Sequence, residues 1–226
     1  MILEYKIALL FLLALSVIFI YIKGYLVFFL RDPVRVPPSE DNIIVAPADG
    51  KVSYIRKIKD GEVPVCIKSG EKVLLKEITK STLEEIRNGY IVGIAMSFSD
   101  VHIQRTPISG KVIDQVHVAG RFLDINFNAR RLLREAERNI LTLKDPVNNI
   151  TVIAIQLASN SVRRIISFVN KGENLDIGQR YGYVKFGSQV DLVFPDLNGL
   201  RFNIKKGDKV YGGETIIVRY DPILKI

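Results

Sequence analysis

The chain has 226 residues, 48% of them hydrophobic and 25% charged, enough for one folded domain with a core and an appendage. Its net charge of +8 suits an anionic partner, either nucleic acid or an acidic membrane surface. The basic residues are scattered and no stacking-aromatic motif accompanies them, so nucleic acid is not expected. Cys66 is the single cysteine, which excludes an intrachain disulfide and a cysteine-built zinc site.

Residues 7–22 are apolar apart from Ser16 and Tyr21; Lys23 and Gly24 interrupt, and 25–30 resume the apolar character. Sixteen helical residues extend about 24 Å, short of a hydrocarbon core of about 30 Å. Continuing to Leu30 gives about 36 Å, sufficient if Lys23 snorkels. A tilted span and a shallow hairpin in one leaflet both remain open. A cleaved signal peptide is not expected, because no A-x-A-like site follows and the basic leader is weak. Lys6 precedes the segment while Lys23, Arg31 and Arg35 follow it, which predicts a cell-membrane protein with its body on the cytoplasmic side. The chain is therefore divided into a membrane segment (1–30), a linker (31–42) and a folded domain (43–226).

The linker carries three prolines and four charges within 31–40 and reads as extended. Beyond it, β-type runs are predicted at 43–46, 51–58, 91–98, 110–118, 151–157, 165–169, 181–186, 190–194 and 215–220. Helices are expected at 129–139, rich in Ala, Leu, Glu and Arg, and over 83–88. The expected fold is mainly β (α+β): a barrel or hybrid-motif sandwich with one or two peripheral helices. Lys171-Gly172-Glu173-Asn174-Leu175-Asp176-Ile177-Gly178-Gln179 recurs in outline at Lys206-Gly207-Asp208-Lys209-Val210-Tyr211-Gly212-Gly213-Glu214. Each copy reads as a Gly-acid turn feeding a strand, with a second glycine turning the chain back. The pattern resembles the turn repeats of lipoyl- and biotinyl-type hybrid barrels.

Three stretches could carry chemistry. In Pro47-Ala48-Asp49-Gly50, an Asp-Gly pair is ordinarily a turn. In the run from Ser99 to Pro107, His102 follows a strand in a polar loop; a lone histidine is more often structural than functional. Between Phe186 and Leu192, Gly187-Ser188 is ordinarily a bend. Singly, none decides a function.

Jointly, from Phe28 onward, the chain resembles the short prokaryotic type of phosphatidylserine decarboxylase, including its archaeal archaetidylserine-specific form. The landmarks are Phe28-Phe29-Leu30-Arg31-Asp32-Pro33, Pro47-Ala48-Asp49-Gly50, the Asp100 to Pro107 loop, Glu137-Arg138-Asn139, the segment from Gln156 to Ile165, and the strand holding Gly187-Ser188. Leu30 and Asn160 depart from the family's spelling at positions remote from the chemistry.

The resemblance implies a proenzyme that cuts itself at Gly187-Ser188. The Ser188 hydroxyl attacks the Gly187 carbonyl and turns amide into ester; elimination then leaves dehydroalanine, which hydrolyses to a pyruvoyl group and ammonia. The products are a large chain (1–187) and a small chain (188–226). Serine needs a base, and Asp49 with His102 are the candidates for a catalytic Asp-His pair. Longer relatives resemble HxxHxP in this loop, and their second histidine position is Arg105 here. Either His102 serves both cleavage and decarboxylation, or Arg105 supports cleavage by holding the oxyanion. Arg105 is also a candidate phosphate ligand; His117 is expected to be structural.

The implied reaction is decarboxylation of a serine-headed phospholipid to the ethanolamine lipid, through a Schiff base to the pyruvoyl group, with no metal. The implied partners are the lipid substrate, the bilayer and the two chains of one precursor, with a second copy of the chain as a further candidate. A catalytically inactive, membrane-tethered hybrid-barrel binding or carrier module is the competing reading. It lacks a lysine at a hairpin tip for biotin or lipoate. A zinc peptidase is disfavoured, because two histidines fifteen residues apart supply too few ligands.

Overall fold

The apolar start of the chain forms a single helix, α1 (Ile2–Phe29), in a computed structural model that describes residues 2–66, 71–80, 86–120, 135–158, 165–184 and 188–222. Lys23-Gly24 does not turn the chain back, so the hairpin alternative is not the one formed. The stretch Tyr5–Phe29, 25 residues, is apolar and long enough to cross a membrane. At 1.5 Å per residue it extends about 37 Å against a hydrocarbon core of about 30 Å. Leu9 to Phe19 are widely exposed along it, whereas Phe29, at its end, is buried in the body.

Residues 31–40 leave the helix in an irregular, proline-set path and the β domain begins. Its strands are β1 (Ile43–Val45), β2 (Gly50–Ile58), β3 (Glu62–Cys66), β4 (Glu71–Leu74), β5 (Gly89–Ala95), β6 (Ile103–Arg105), β7 (Gly110–Val118) and β8 (Arg138–Asp145). There follow β9 (Ile150–Ala158), β10 (Ile165–Ser167), β11 (Asn174–Leu175), β12 (Arg180–Val184), β13 (Ser188–Pro195), β14 (Arg201–Phe202), β15 (Lys209–Val210) and β16 (Ile216–Arg219). A short helix, α2 (Leu75–Thr79), follows β4. Eight strands form one sheet in the order β11-β7-β8-β9-β13-β5-β2-β15, flanked by β1-β16-β14 and β10-β12-β6 and by the hairpin β3-β4. All the pairings are antiparallel. The mainly β class expected from the sequence is the class observed.

The arrangement is internally two-fold. β1-β2-β5 with β13 to β16 repeats the pairing of β6-β7-β8 with β9 to β12. Pro47-Ala48-Asp49-Gly50-Lys51-Val52 has its counterpart in Pro107-Ile108-Ser109-Gly110-Lys111-Val112. The cross-links match as well. The Val45 amide donates to Pro107 O (2.9 Å), and the Arg105 amide to Pro47 O (2.8 Å). Gly207 N donates to Val52 O and Gly172 N to Val112 O, each at 2.8 Å. The glycine repeat seen in the sequence is thus one of two motifs that each half of the duplication carries, the other being the Pro-to-Val motif. Gly172 and Gly207 both take φ 98°, and Gly178 and Gly213 take 76° and 80°, where only glycine is unstrained.

Two cores sandwich the large sheet. Val190, Leu192 and Phe194 of β13 face one, with Val92, Ile94, Val152, Ala154 and Val218. Val193 faces the other, with Ile91, Ile153, Ile155 and Ile78 of α2. Burial on both faces explains why β9 reads as a nearly unbroken apolar run rather than an alternation.

The helix expectations fared worse. Residues 129–134 of the longer predicted helix lie outside the described residues, but Arg138 and Asn139 begin β8. Of the second, 83–85 lie outside, and 86–88 are not helical. α2 sits on a segment no periodicity marked. It is only five residues long, and tertiary contacts hold it. The buried Arg138 donates to the carbonyls of Ile78 (2.7 Å), Ala136 (3.0 Å) and Glu77 (3.3 Å), satisfying the end of that helix.

Candidate active site

The turn between β5 and β6 holds His102. Asp100 builds this turn: its carboxylate accepts the amide and hydroxyl of Ser97, both at 2.7 Å, and pairs with Lys209. Burial works against the Asp100 carboxylate, but Lys209 and Ser97 outweigh it and hold its pKa below the usual range. The main-chain carbonyl of Asp100 then lies 2.8 Å from His102 Nδ1. A carbonyl can only accept, so the proton sits on Nδ1 and the lone pair on Nε2. His102 is fully buried, and Nε2 has no hydrogen-bond partner among the described residues. Phe29, the last residue of α1, stacks on the imidazole with ring centres 3.8 Å apart at 30°. Burial dominates the electrostatics and depresses the pKa of His102 to about 4. The ring is therefore neutral at pH 7, with its Nε2 lone pair unused among the described residues.

Asp49 does not face this imidazole. One carboxylate oxygen accepts the Gly212 amide (2.8 Å) and the other accepts Arg35 (2.7 Å), whose second nitrogen binds Glu214 (2.6 Å). Burial raises the Asp49 pKa, with the Gly212 amide and Arg35 pulling against it. The hydrogen bond that orients the imidazole, expected from Asp49, comes instead from the Asp100 backbone. A carbonyl leaves no mark in side-chain spelling, which is why sequence reasoning missed it. The two-fold counterpart of Asp49 is Ser109, whose hydroxyl accepts the Ile177 amide (2.9 Å). The Asp49–Gly212 contact therefore belongs to the scaffold's repeat, and the Arg35 pair is the addition.

Arg105 is also engaged. It donates to Gly178 O (3.0 Å), Pro33 O (2.9 Å) and Asp32 (2.7 Å), and Asp32 pairs in addition with Arg180. Arg35 and Asp32 thus clamp the segment after α1 onto the β domain. His117 is half-exposed and lies 3.5 Å from Glu137, away from His102.

Ser188 opens β13, its backbone paired with Ala158 at the end of β9; Gly187 lies outside the described residues. Beneath that strand end runs a chain of buried amides. Asn139 donates to Gln156 (2.8 Å), Gln156 to Gln104 (2.8 Å), and Gln104 points to the Met96 sulfur at 3.6 Å. It links β8, β9 and β6, and ends two residues from His102. On the other face of β13, Gln189 donates to Asp191 (2.6 Å) and to the Tyr54 hydroxyl (3.0 Å). Asp191 is fully buried, and burial raises its pKa to about 7. Among the described residues no group of three His, Cys, Asp or Glu side chains could hold a metal.

A duplicated β sandwich, with a neutral imidazole buried under the foot of a membrane-length helix, is the class of protein that the fold and this site define. The sequence model of the phosphatidylserine decarboxylase family matches residues 22–218. A protein of Methanothermobacter thermautotrophicus, provisionally named an archaetidylserine decarboxylase proenzyme, is 35% identical over 92% of this chain and 86% of its own length. One of Methanocaldococcus jannaschii with the same provisional name is 35% identical over 85% of this chain and 88% of its own. The phosphatidylserine decarboxylase proenzyme of Geobacter metallireducens is 34% identical over 90% and 81% respectively. The chain belongs to the phosphatidylserine decarboxylase family and is a decarboxylase.

Proposed function

We propose that this decarboxylase converts a serine-headed phospholipid, phosphatidylserine or archaetidylserine, into the ethanolamine lipid, using a pyruvoyl group formed from Ser188 by self-cleavage after Gly187. The reading rests on one observation above all: the buried, neutral His102 with an orphaned Nε2. A buried acceptor without a partner is costly unless an occupant satisfies it. The residues present fit the group in this respect. Ser188 would carry it, and His102 would supply the basic atom it needs. Once formed, a pyruvoyl group supplies a ketone that takes up the substrate amine and holds the electron pair left when carbon dioxide departs.

His102 then has two tasks. As a base it takes the Ser188 hydroxyl proton during cleavage, which needs the Nε2 lone pair that Asp100 O secures. In turnover it returns a proton to the α-carbon. Arg105 has three hydrogen bonds to Asp32, Pro33 and Gly178, which supports assigning both steps to His102. Phe29 excludes water from the imidazole, and α1 fixes the site at a bilayer surface, with the body on the cytoplasmic side. Both candidate lipids share one headgroup, and the residues named here address only that headgroup.

Intact-mass analysis of purified protein tests the proposal. Two chains with a break before residue 188, the small one blocked to N-terminal sequencing, are expected. Ser188→Ala should remain one chain. A folded wild-type protein that stays uncut and inert toward serine-headed lipid would overturn the reading.

A further inference from the structure

Resting on the lipid reading above, we infer that Arg31 is the ligand of the substrate's phosphodiester, forming an anion site at the membrane-facing rim of the His102 pocket. Three observations meet there. Arg31 follows the membrane-length stretch Tyr5–Phe29 by two residues, the depth at which a lipid phosphate lies when that stretch spans. It is joined to the site itself: its guanidinium donates to Ser99 O, and the next carbonyl along, Asp100 O, holds His102 Nδ1. Its charge also reaches the imidazole, helping to keep it unprotonated. Finally, the cation has no carboxylate partner among the described residues. Its remaining contacts are Phe28 O (2.9 Å) and the Phe28 ring, over which it lies at 4.2 Å.

Among the described residues, three other arginines after α1 are already paired. A cavity of about 480 Å³ beside the clamp gathers Arg35, Arg105 and Arg180. Each of them already faces Asp49, Glu214 or Asp32. That cavity offers an anion little net attraction. Among the described residues Arg31 has only neutral partners, and Ser99, whose hydroxyl lies 3.1 Å from that of Ser97, adds a neutral donor beside it. With two of its five N–H donors on the carbonyls of Phe28 and Ser99, the guanidinium keeps three for a phosphodiester's non-bridging oxygens. The fit to substrate is also chemical. In a serine-headed lipid the carbon that loses carboxylate stands three bonds from phosphorus, so the anion and the reacting carbon must be received by neighbouring groups. Arg31 and His102, held by consecutive carbonyls, are such neighbours.

Two soluble substrates separate this site from the chemistry: glycerophosphoserine, which carries the phosphodiester, and O-methylserine, which does not. Wild-type protein is expected to show a KM for glycerophosphoserine roughly tenfold to a hundredfold below that for O-methylserine, the worth of a charge-assisted pair. Arg31→Gln should erase that difference by raising KM for glycerophosphoserine alone, with kcat little changed, and Arg31→Lys should restore part of it. A wild-type enzyme that turns over both compounds with equal KM overturns the Arg31 assignment even if Arg31→Gln does not fold. So does an Arg31→Gln enzyme that keeps the preference. A wild-type protein that neither cuts itself nor turns over either compound defeats the broader reading instead.

Discussion

At His102, a histidine's ordinary pKa near 6.5 falls to about 4 because burial penalises the charged ring more than the Asp100 carbonyl favours it. Self-cleavage that uses Nε2 as base should therefore speed up as pH rises through about 4 and be flat from pH 6 upward. A midpoint near 6.5 in the processing rate would show a solvated imidazole instead. The same shift has a stability cost. The unfolded ring takes a proton below pH 6.5 and the folded one only near 4, so the neutral ring's contribution is full above 6.5 and fades as pH falls between them. Asp191 runs the opposite way. Its folded carboxyl keeps a proton to about pH 7, while an unfolded one ionises near 3.8, so its contribution is present in acid and lost as pH rises through 7. Asp191→Asn keeps the oxygen that accepts Gln189 and removes the titration. It should stabilise the protein by about 2–3 kcal/mol more at pH 8 than at pH 5, read from denaturant midpoints.

The informative element is the junction of α1 with the β domain. Phe29 seals His102, and the next six residues are fastened by Asp32 to Arg105 and by Arg35 to Asp49. Phe29→Ala should open the imidazole to water and move its pKa back toward 6.5, visible as an upward shift in the pH midpoint of processing. Asp32→Ala leaves the buried Arg105 without its counter-charge and should cost roughly 3 kcal/mol. It should lower the melting temperature without moving that midpoint, since Asp32 touches neither His102 nor Asp100. A linker free of the domain would show neither effect. Its proline content and charge were plain in the sequence, and its docking was not, because the partners lie far along the chain.

Across the whole molecule, the two-fold places Gly178 and Gly213 back to back. A Cβ on Gly213 would lie 2.8 Å from Arg105 Cδ and 3.2 Å from Gly178 Cα, whereas one on Gly207 would meet nothing within 4 Å. Both backbones have positive φ, at 80° and 98°. Gly207→Ala should cost about 1–2 kcal/mol from conformation alone, and Gly213→Ala clearly more, in thermal melts of the two variants. Equal losses would mean that the halves do not meet tightly there.

Local chemistry made much of this protein readable from its sequence. Apolar length marks α1, β-branched runs such as those of β7 and β9 mark strands, paired glycines mark the repeated turns, and the order of the motifs marks the family. The sequence also singled out His102 and Asp49 as polar groups of interest, and the structure buries both. It paired them wrongly, because an imidazole can be oriented by a backbone carbonyl that no residue type announces. Folding alone decided that Phe29 covers His102, that Arg105 pairs with the linker, and that Arg31 has no carboxylate partner among the described residues. Each depends on which side chains remain unsatisfied once distant strands have paired, and hydrogen-bond satisfaction is a property of the assembled molecule.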